Sequence, residues 1–257
     1  MSEGTSISWA GSTWNCITGC TPVSAGCANC YAKRMTQRLE KMARQPKYAA
    51  GFDRVVCHTG CLDEPHSFGP GQTVFVNSMS DTFHKDVPLA FLRKMFRVMN
   101  DLPELTFLVL TKRPDRIAKL ADKLTWSNNI WAGTTIENGA YVDRADHLRK
   151  VPASVHFISA EPLLGHLTNL NLDGIGWLIA GGESGVGARP CDVDAVRSLR
   201  DQALAQDIPF HFKQWGTLPS NPEPADPTAK KNGGDAKGGR TLDGKVWAEF
   251  PLTDARC

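Results

Sequence analysis

Short runs of β-branched and aromatic residues alternate with longer amphipathic stretches along most of this chain, and that alternation predicts the fold class. The apolar runs occupy residues 73–77, 105–110, 129–134, 155–159, 177–180 and 209–212, and a seventh is expected around Ile7 to Trp9. Between them, apolar residues recur at helical spacing over 28–44, 88–101, 114–124, 139–150 and 193–205. Pro88 and Pro114 stand where helices begin, because a fixed φ and a missing N–H are harmless in a first turn. Strands that are apolar on both faces belong to a parallel sheet covered on both sides. The pattern therefore predicts an α/β protein, either a (β/α) barrel or an open parallel sheet.

In such folds reactive groups gather at the C-terminal ends of the strands. Those ends are polar here: Ser78-Met-Ser80-Asp81, Thr111-Lys112-Arg113, Thr134-Thr135-Ile-Glu137-Asn138, Ser159-Ala-Glu161-Pro162, Gly181-Gly182-Glu183-Ser184-Gly185 and Lys213-Gln214-Trp215-Gly216. Any one of these is equally well read as a helix cap. Six in register predict a polar pocket. Glu161 and Glu183 have an alternative as partners of a strand-end Lys or Arg, the glycine run as a tight turn, and Trp215 as a core residue rather than a stacking surface.

Four cysteines fall within fifteen residues, as CxxxC, six residues, then CxxC: Cys16, Cys20, Cys27 and Cys30. Gly19 and Gly26 each precede a cysteine and permit the sharp turns that bring thiolates together. The spacing fits two metals equally: four thiolates for a structural zinc, or three for an iron-sulfur cluster with one iron left open. Residues 1–11 are polar with no apolar core, which predicts no secretory leader and disfavours disulfides. Cys57 and Cys61 form a second CxxxC near His58 and His66, a candidate small metal site, while Cys191 and Cys257 read as free thiols.

At 257 residues and 41% hydrophobic content the chain can bury a large core. Its net charge of +2 is too mild to announce a nucleic-acid partner, and no apolar stretch approaches the roughly 18 residues of a membrane span, so a cytoplasmic location is expected, the host cytoplasm if the chain is phage-encoded.

The motifs Trp14-Asn-x-x-Thr18-Gly-Cys20, Gly26-Cys27-x-x-Cys30-Tyr31-Ala32, Leu110-Thr-Lys-Arg-Pro114, Ser159-Ala-Glu-Pro-Leu163, Gly181-Gly-Glu-Ser-Gly185, Ala188-Arg189-Pro190 and Phe212-Lys-Gln-Trp-Gly216 resemble the phage Gp37/Gp68 family. That family is similar to radical S-adenosylmethionine enzymes of the spore photoproduct lyase-like branch. The resemblance implies a partial (β/α)6-type TIM barrel over 1–216, with a flexible loop and short extension over 217–257 that packs back on it. It implies that Cys20, Cys27 and Cys30 ligate a [4Fe-4S] cluster and that Cys16, commonly proline in the family, is spare. It further implies cleavage of S-adenosylmethionine to a 5′-deoxyadenosyl radical and hydrogen abstraction of the isomerase or lyase type.

Site roles follow from the same resemblance. Tyr31, the aromatic after the last cysteine, is expected at the cofactor; Ser78, Ser80 and Asp81 are placed toward its methionine amine, Lys112 toward its carboxylate, and Thr134, Thr135 and Glu137 toward the ribose. Ser159, Gly182 and Glu183 are expected at the cofactor, and Glu161 and Lys213 as catalytic groups. A flavodoxin- or ferredoxin-like electron donor is implied, and the expected substrate is a nucleobase such as a modified thymine in phage DNA. Two alternatives stand beside it: a radical enzyme acting on a small molecule or peptide, and a non-catalytic, zinc-stabilised nucleic-acid-binding module.

Overall fold

A computed structural model describes residues 5, 7–42, 45–223, 225–229 and 238–252. It divides into two compact units, 1–134 with 146–155, and 135–145 with 156–257.

In the first unit, strands β1 (Ser12–Trp14), β2 (Thr73–Val76), β3 (Thr106–Thr111) and β4 (Ile130–Thr135) pair in parallel and in chain order. The apolar runs dictate this, since every residue of β4 is buried and the side chains of Phe107, Leu108 and Val109 in β3 are wholly so. Helices α1 (Tyr31–Lys41), α2 (Leu89–Asn100) and α3 (Pro114–Leu120) connect the strands. Phe91, Leu92, Met95, Phe96, Val98 and Met99 form the buried side of α2.

The first strand differs from expectation. Ser8 and Trp9 lie in a turn, and β1 starts three residues after Trp9, where Ser12, Thr13 and Trp14 register with Val74, Phe75 and Val76. Trp14 supplies the reason: it is fully buried and packs edge-on to Phe107 with ring centroids 6.1 Å apart, so the chain is drawn into the sheet at Trp14, while Trp9 covers Phe75 from outside the strand.

The second unit holds β5 (His156–Ala160), β6 (Trp177–Ala180) and β7 (Phe210–Phe212), again parallel and in chain order. The helix predicted over 139–150 is instead a 3₁₀ turn, Gly139–Tyr141, capped by the Asn138 side chain, and a short α4 (Arg144–Leu148). The break coincides with Arg144, whose guanidinium turns inward to Glu137 and the Thr135 carbonyl. Helix α5 (Val193–Leu204) is capped by Asp192, which accepts from the N–H groups of Asp194 and Ala195.

The C-terminal extension packs on β7. Phe212 N–H donates to Trp247 O, Glu249 N–H to Phe210 O, and a hairpin pairs Thr241–Leu242 with Lys245–Val246. Asp226 anchors the preceding loop, accepting from the N–H and Oγ1 of both Thr228 and Thr241 and from Asn221 Nδ2. Cys257 and most of the glycine-rich run at 232–239, Gly238 and Gly239 excepted, lie outside the described residues.

Candidate functional site

The cysteine loop leaves β1 through a short antiparallel pair, Ile17–Thr18 with Val56–Cys57. Gly19 then takes φ +84°, and a Cβ there would stand 2.0 Å from the Arg54 carbonyl, so only glycine permits this turn. Cys20 follows, its N–H bonded to Phe52 O at 2.8 Å. Cys27 ends the 3₁₀ turn Ala25–Cys27, with its Sγ 3.7 Å from Ser24 Oγ. Cys30 occupies the N-cap of α1. Cys20 and Cys30 both pack against the apolar cluster of Ala32, Tyr48, Phe52 and Met79.

Electrostatic environment sorts the four thiols into two groups. Burial pushes the Cys20 thiol up to about 11, reinforced by Asp81 and by neighbouring Cys27 and opposed by Arg113. Cys16 is fully buried with its Sγ 3.9 Å from Asn77 Oδ1, and burial pushes its thiol up strongly. Its backbone carbonyl accepts from His58 N–H, beside the second CxxxC motif. Among the described residues no three His, Cys, Asp or Glu side chains converge as they would on a single ion. A four-iron cluster asks for a different arrangement, because each cysteine ligates its own iron and the sulfurs stand farther apart.

The end of β2 is tied to this loop. Tyr31 Oη donates to the Ser78 carbonyl, Ser78 Oγ to Asn15 Oδ1 at 3.1 Å, and Ser80 Oγ to Ile17 O at 2.9 Å. Asp81 is buried and committed within the protein: its carboxylate accepts from Thr111 Oγ1 (2.7 Å), Arg113 Nη1 (2.8 Å), Phe83 N–H (2.9 Å) and Lys112 N–H (3.1 Å). Arg113 Nη1 also reaches Cys20 Sγ at 3.6 Å, and Nη2 reaches Thr21 O at 2.8 Å. Thr134 Oγ1 donates to Thr111 O at 2.9 Å. Sequence reasoning named Lys112 and passed over Arg113; the signal was a cation immediately before the proline that opens α3.

The remaining predicted residues lie in the second unit. Glu137 is fully buried and paired with Arg144 Nη1 at 2.9 Å, and Thr135 gives the same guanidinium its carbonyl at 2.7 Å. Ser159 Oγ donates to Glu161 Oε1 at 3.3 Å, and Glu161 Oε2 meets Lys213 Nζ at 2.5 Å. Glu183 is gripped by Arg189 through Nε (2.9 Å) and Nη2 (2.5 Å). Gly182 N–H donates to Gln214 O at 2.8 Å, and a Cβ on Gly182 would stand 2.0 Å from Trp215 O. Trp215 is a core residue, fully buried with its indole N–H on Thr241 O.

The family model described as "Protein of unknown function (DUF5131)" matches residues 4–251. No curated protein matches the chain. A solved structure, "Spore photoproduct lyase complexed with dinucleoside spore photoproduct", is similar with a TM-score of 0.50 at 15% identity, over 75% of this chain and 61% of that one. At that identity the likeness shows the fold alone: an α/β protein of the partial (β/α) barrel class. No described helix is long and apolar enough to cross a membrane.

Proposed function

The chain belongs to the DUF5131 family, and from its site we propose that it is a radical S-adenosylmethionine enzyme. The observation that carries this reading is the setting of the thiols: Cys20 and Cys30 pack on one apolar cluster, and Cys16 is fully buried with its Sγ toward Asn77 Oδ1 at 3.9 Å. Three cysteines, two of them backed by one apolar cluster, with a helix N-terminus at Cys30 and a guanidinium at Cys20, fit a [4Fe-4S] cluster as a donor set. A structural zinc site built from all four thiols would also need Cys16, which is fully buried with its Sγ toward Asn77 Oδ1.

When bound and reduced by a flavodoxin- or ferredoxin-like donor, such a cluster with one open iron would pass that electron to S-adenosylmethionine, giving methionine and a 5′-deoxyadenosyl radical able to abstract hydrogen. The residues of this chain bind and shield. Cys20, Cys27 and Cys30 hold the cluster, and Tyr48, Phe52 and Met79 exclude water behind it. Ser78 and Ser80, whose hydroxyl protons are spent on Asn15 and Ile17, would have lone pairs left to accept from the cofactor's ammonium. Lys112 serves its carboxylate. The Glu161–Lys213 pair supplies an exchangeable proton and a fixed charge at the ends of β5 and β7. The substrate proposed is a nucleobase, supported by the dinucleoside ligand of the similar lyase structure, and the chemistry is isomerase or lyase in type.

The test is anaerobic reconstitution followed by iron, sulfide and zinc analysis, then dithionite with S-adenosylmethionine. Four irons per chain and released 5′-deoxyadenosine are expected. Cys27→Ala abolishes both, while Cys16→Ala keeps both. One tightly held zinc, no iron uptake and an equal loss of metal in the two variants would overturn the reading.

A further inference from the structure

Arg113 is immobilised to a degree that binding a distant ligand does not require. Its backbone precedes Pro114, which restricts its conformation, and its N–H donates to Thr111 Oγ1 at 3.0 Å. The side chain is only 11% exposed. One terminal nitrogen divides its hydrogens between Asp81 Oδ2 (2.8 Å) and Cys20 Sγ (3.6 Å), and the other is shared by Thr21 O (2.8 Å) and Thr21 Oγ1 (3.2 Å). Thr21 Oγ1 is in turn held by His84 Nε2 at 2.8 Å, and His84 is fully buried. The guanidinium is thus aimed at one cysteine by partners that leave it no other rotamer.

We propose that Arg113 sets the reduction potential of the cluster held by Cys20, Cys27 and Cys30, donating an N–H···S hydrogen bond to Cys20 while Asp81 offsets its charge. This rests on the reading of the three cysteines as cluster ligands. Reduction adds one negative charge to the cluster, so a donor and a cation at a ligand sulfur stabilise the reduced state more than the oxidised one. Both side chains are largely buried, so the field is weakly screened. Arg113 raises the potential and Asp81, as a carboxylate, lowers it. The pair fixes how strong an electron donor the enzyme requires.

The test is a dithionite-poised redox titration of the reconstituted protein, followed by the electron paramagnetic resonance signal of the reduced cluster. One electron enters and no bond is made or broken. In Arg113→Gln the ratio of reduced to oxidised cluster at a fixed potential is expected to fall about tenfold, a shift of about 59 mV for a one-electron couple. Asp81→Asn is expected to move the potential the opposite way. A role in folding alone would not move two variants in opposite directions. A wild type that takes up no iron overturns the cluster reading itself. With a loaded wild type, an unchanged or higher potential in Arg113→Gln overturns the role of Arg113. Should that variant take up no iron, Asp81→Asn decides, an unchanged or lower potential overturning the proposal, as does failure of both variants to load.

Discussion

Single residues whose identity cannot be exchanged mark where backbone passes close to backbone. Gly182 and Gly216 are neighbours of this kind, since a Cβ on Gly182 would meet Trp215 O at 2.0 Å and one on Gly216 would meet Glu183 O at 2.0 Å. Gly181, one position earlier, has only side-chain atoms at 3.3 and 3.4 Å. Gly182→Ala is therefore expected to cost about 1–3 kcal/mol or more, and Gly181→Ala less, as read from urea midpoints. The glycine run was legible as a turn, but which glycine carries the constraint was not, because the opposing carbonyl lies more than thirty positions away. The same limit applied to Asp81. Its residue type and place after β2 were readable, whereas its four internal donors come from β3 and the turns beyond both strands, so its commitment to Arg113 was not.

Elements report on how local signals survive packing. Asp192 caps α5 through hydrogen bonds to Asp194 N–H (2.8 Å) and Ala195 N–H (3.4 Å). Asp192→Ala is expected to cost about 1 kcal/mol in thermal or urea unfolding. Helix α5 and its boundaries could be read from the sequence because the cap and the apolar spacing agree. The stretch 139–150 had the same spacing, yet Arg144 is drawn to Glu137 and breaks it, and no local rule reveals that pairing. The loop before the C-terminal hairpin is a third case. Composition reads as a flexible lid, and Asp226 fastens its described part instead. Burial alone would raise this carboxyl, but hydrogen bonds from Thr228 and Thr241 prevail and hold it down at about 2. A depressed carboxylate contributes stability that is present above its unfolded value of 3.8 and lost as pH falls toward 2. Asp226→Ala is expected to release the segment, seen as faster proteolytic nicking between Pro219 and Gly239 at neutral pH, with unchanged nicking counting against the anchor.

For the whole molecule, stability on acidification should turn first on His211 in β7. It is fully buried between Trp177 and Phe250, and burial pushes its pKa down from 6.5 to about 4 against the pull of Glu161. The unfolded chain binds a proton at His211 below about pH 6.5 that the folded chain refuses until about pH 4, so stability falls across that window as pH decreases. Between pH 7 and pH 5 this amounts to about 2 kcal/mol. Comparing urea midpoints at the two pH values, His211→Gln should lose markedly less than the wild type; an equal loss would assign the acid sensitivity elsewhere. What the sequence determined by itself was the succession of strands and helices, the parallel α/β class and the density of thiols, because these depend on apolar periodicity and on spacing along the chain. Only the tertiary structure decided that β1 begins at Ser12 rather than near Ile7, that Cys16 is fully buried against Asn77, and that Arg113 bears on Cys20. Each of those depends on contacts between residues far apart in the chain, where packing and burial choose among partners that composition leaves equivalent.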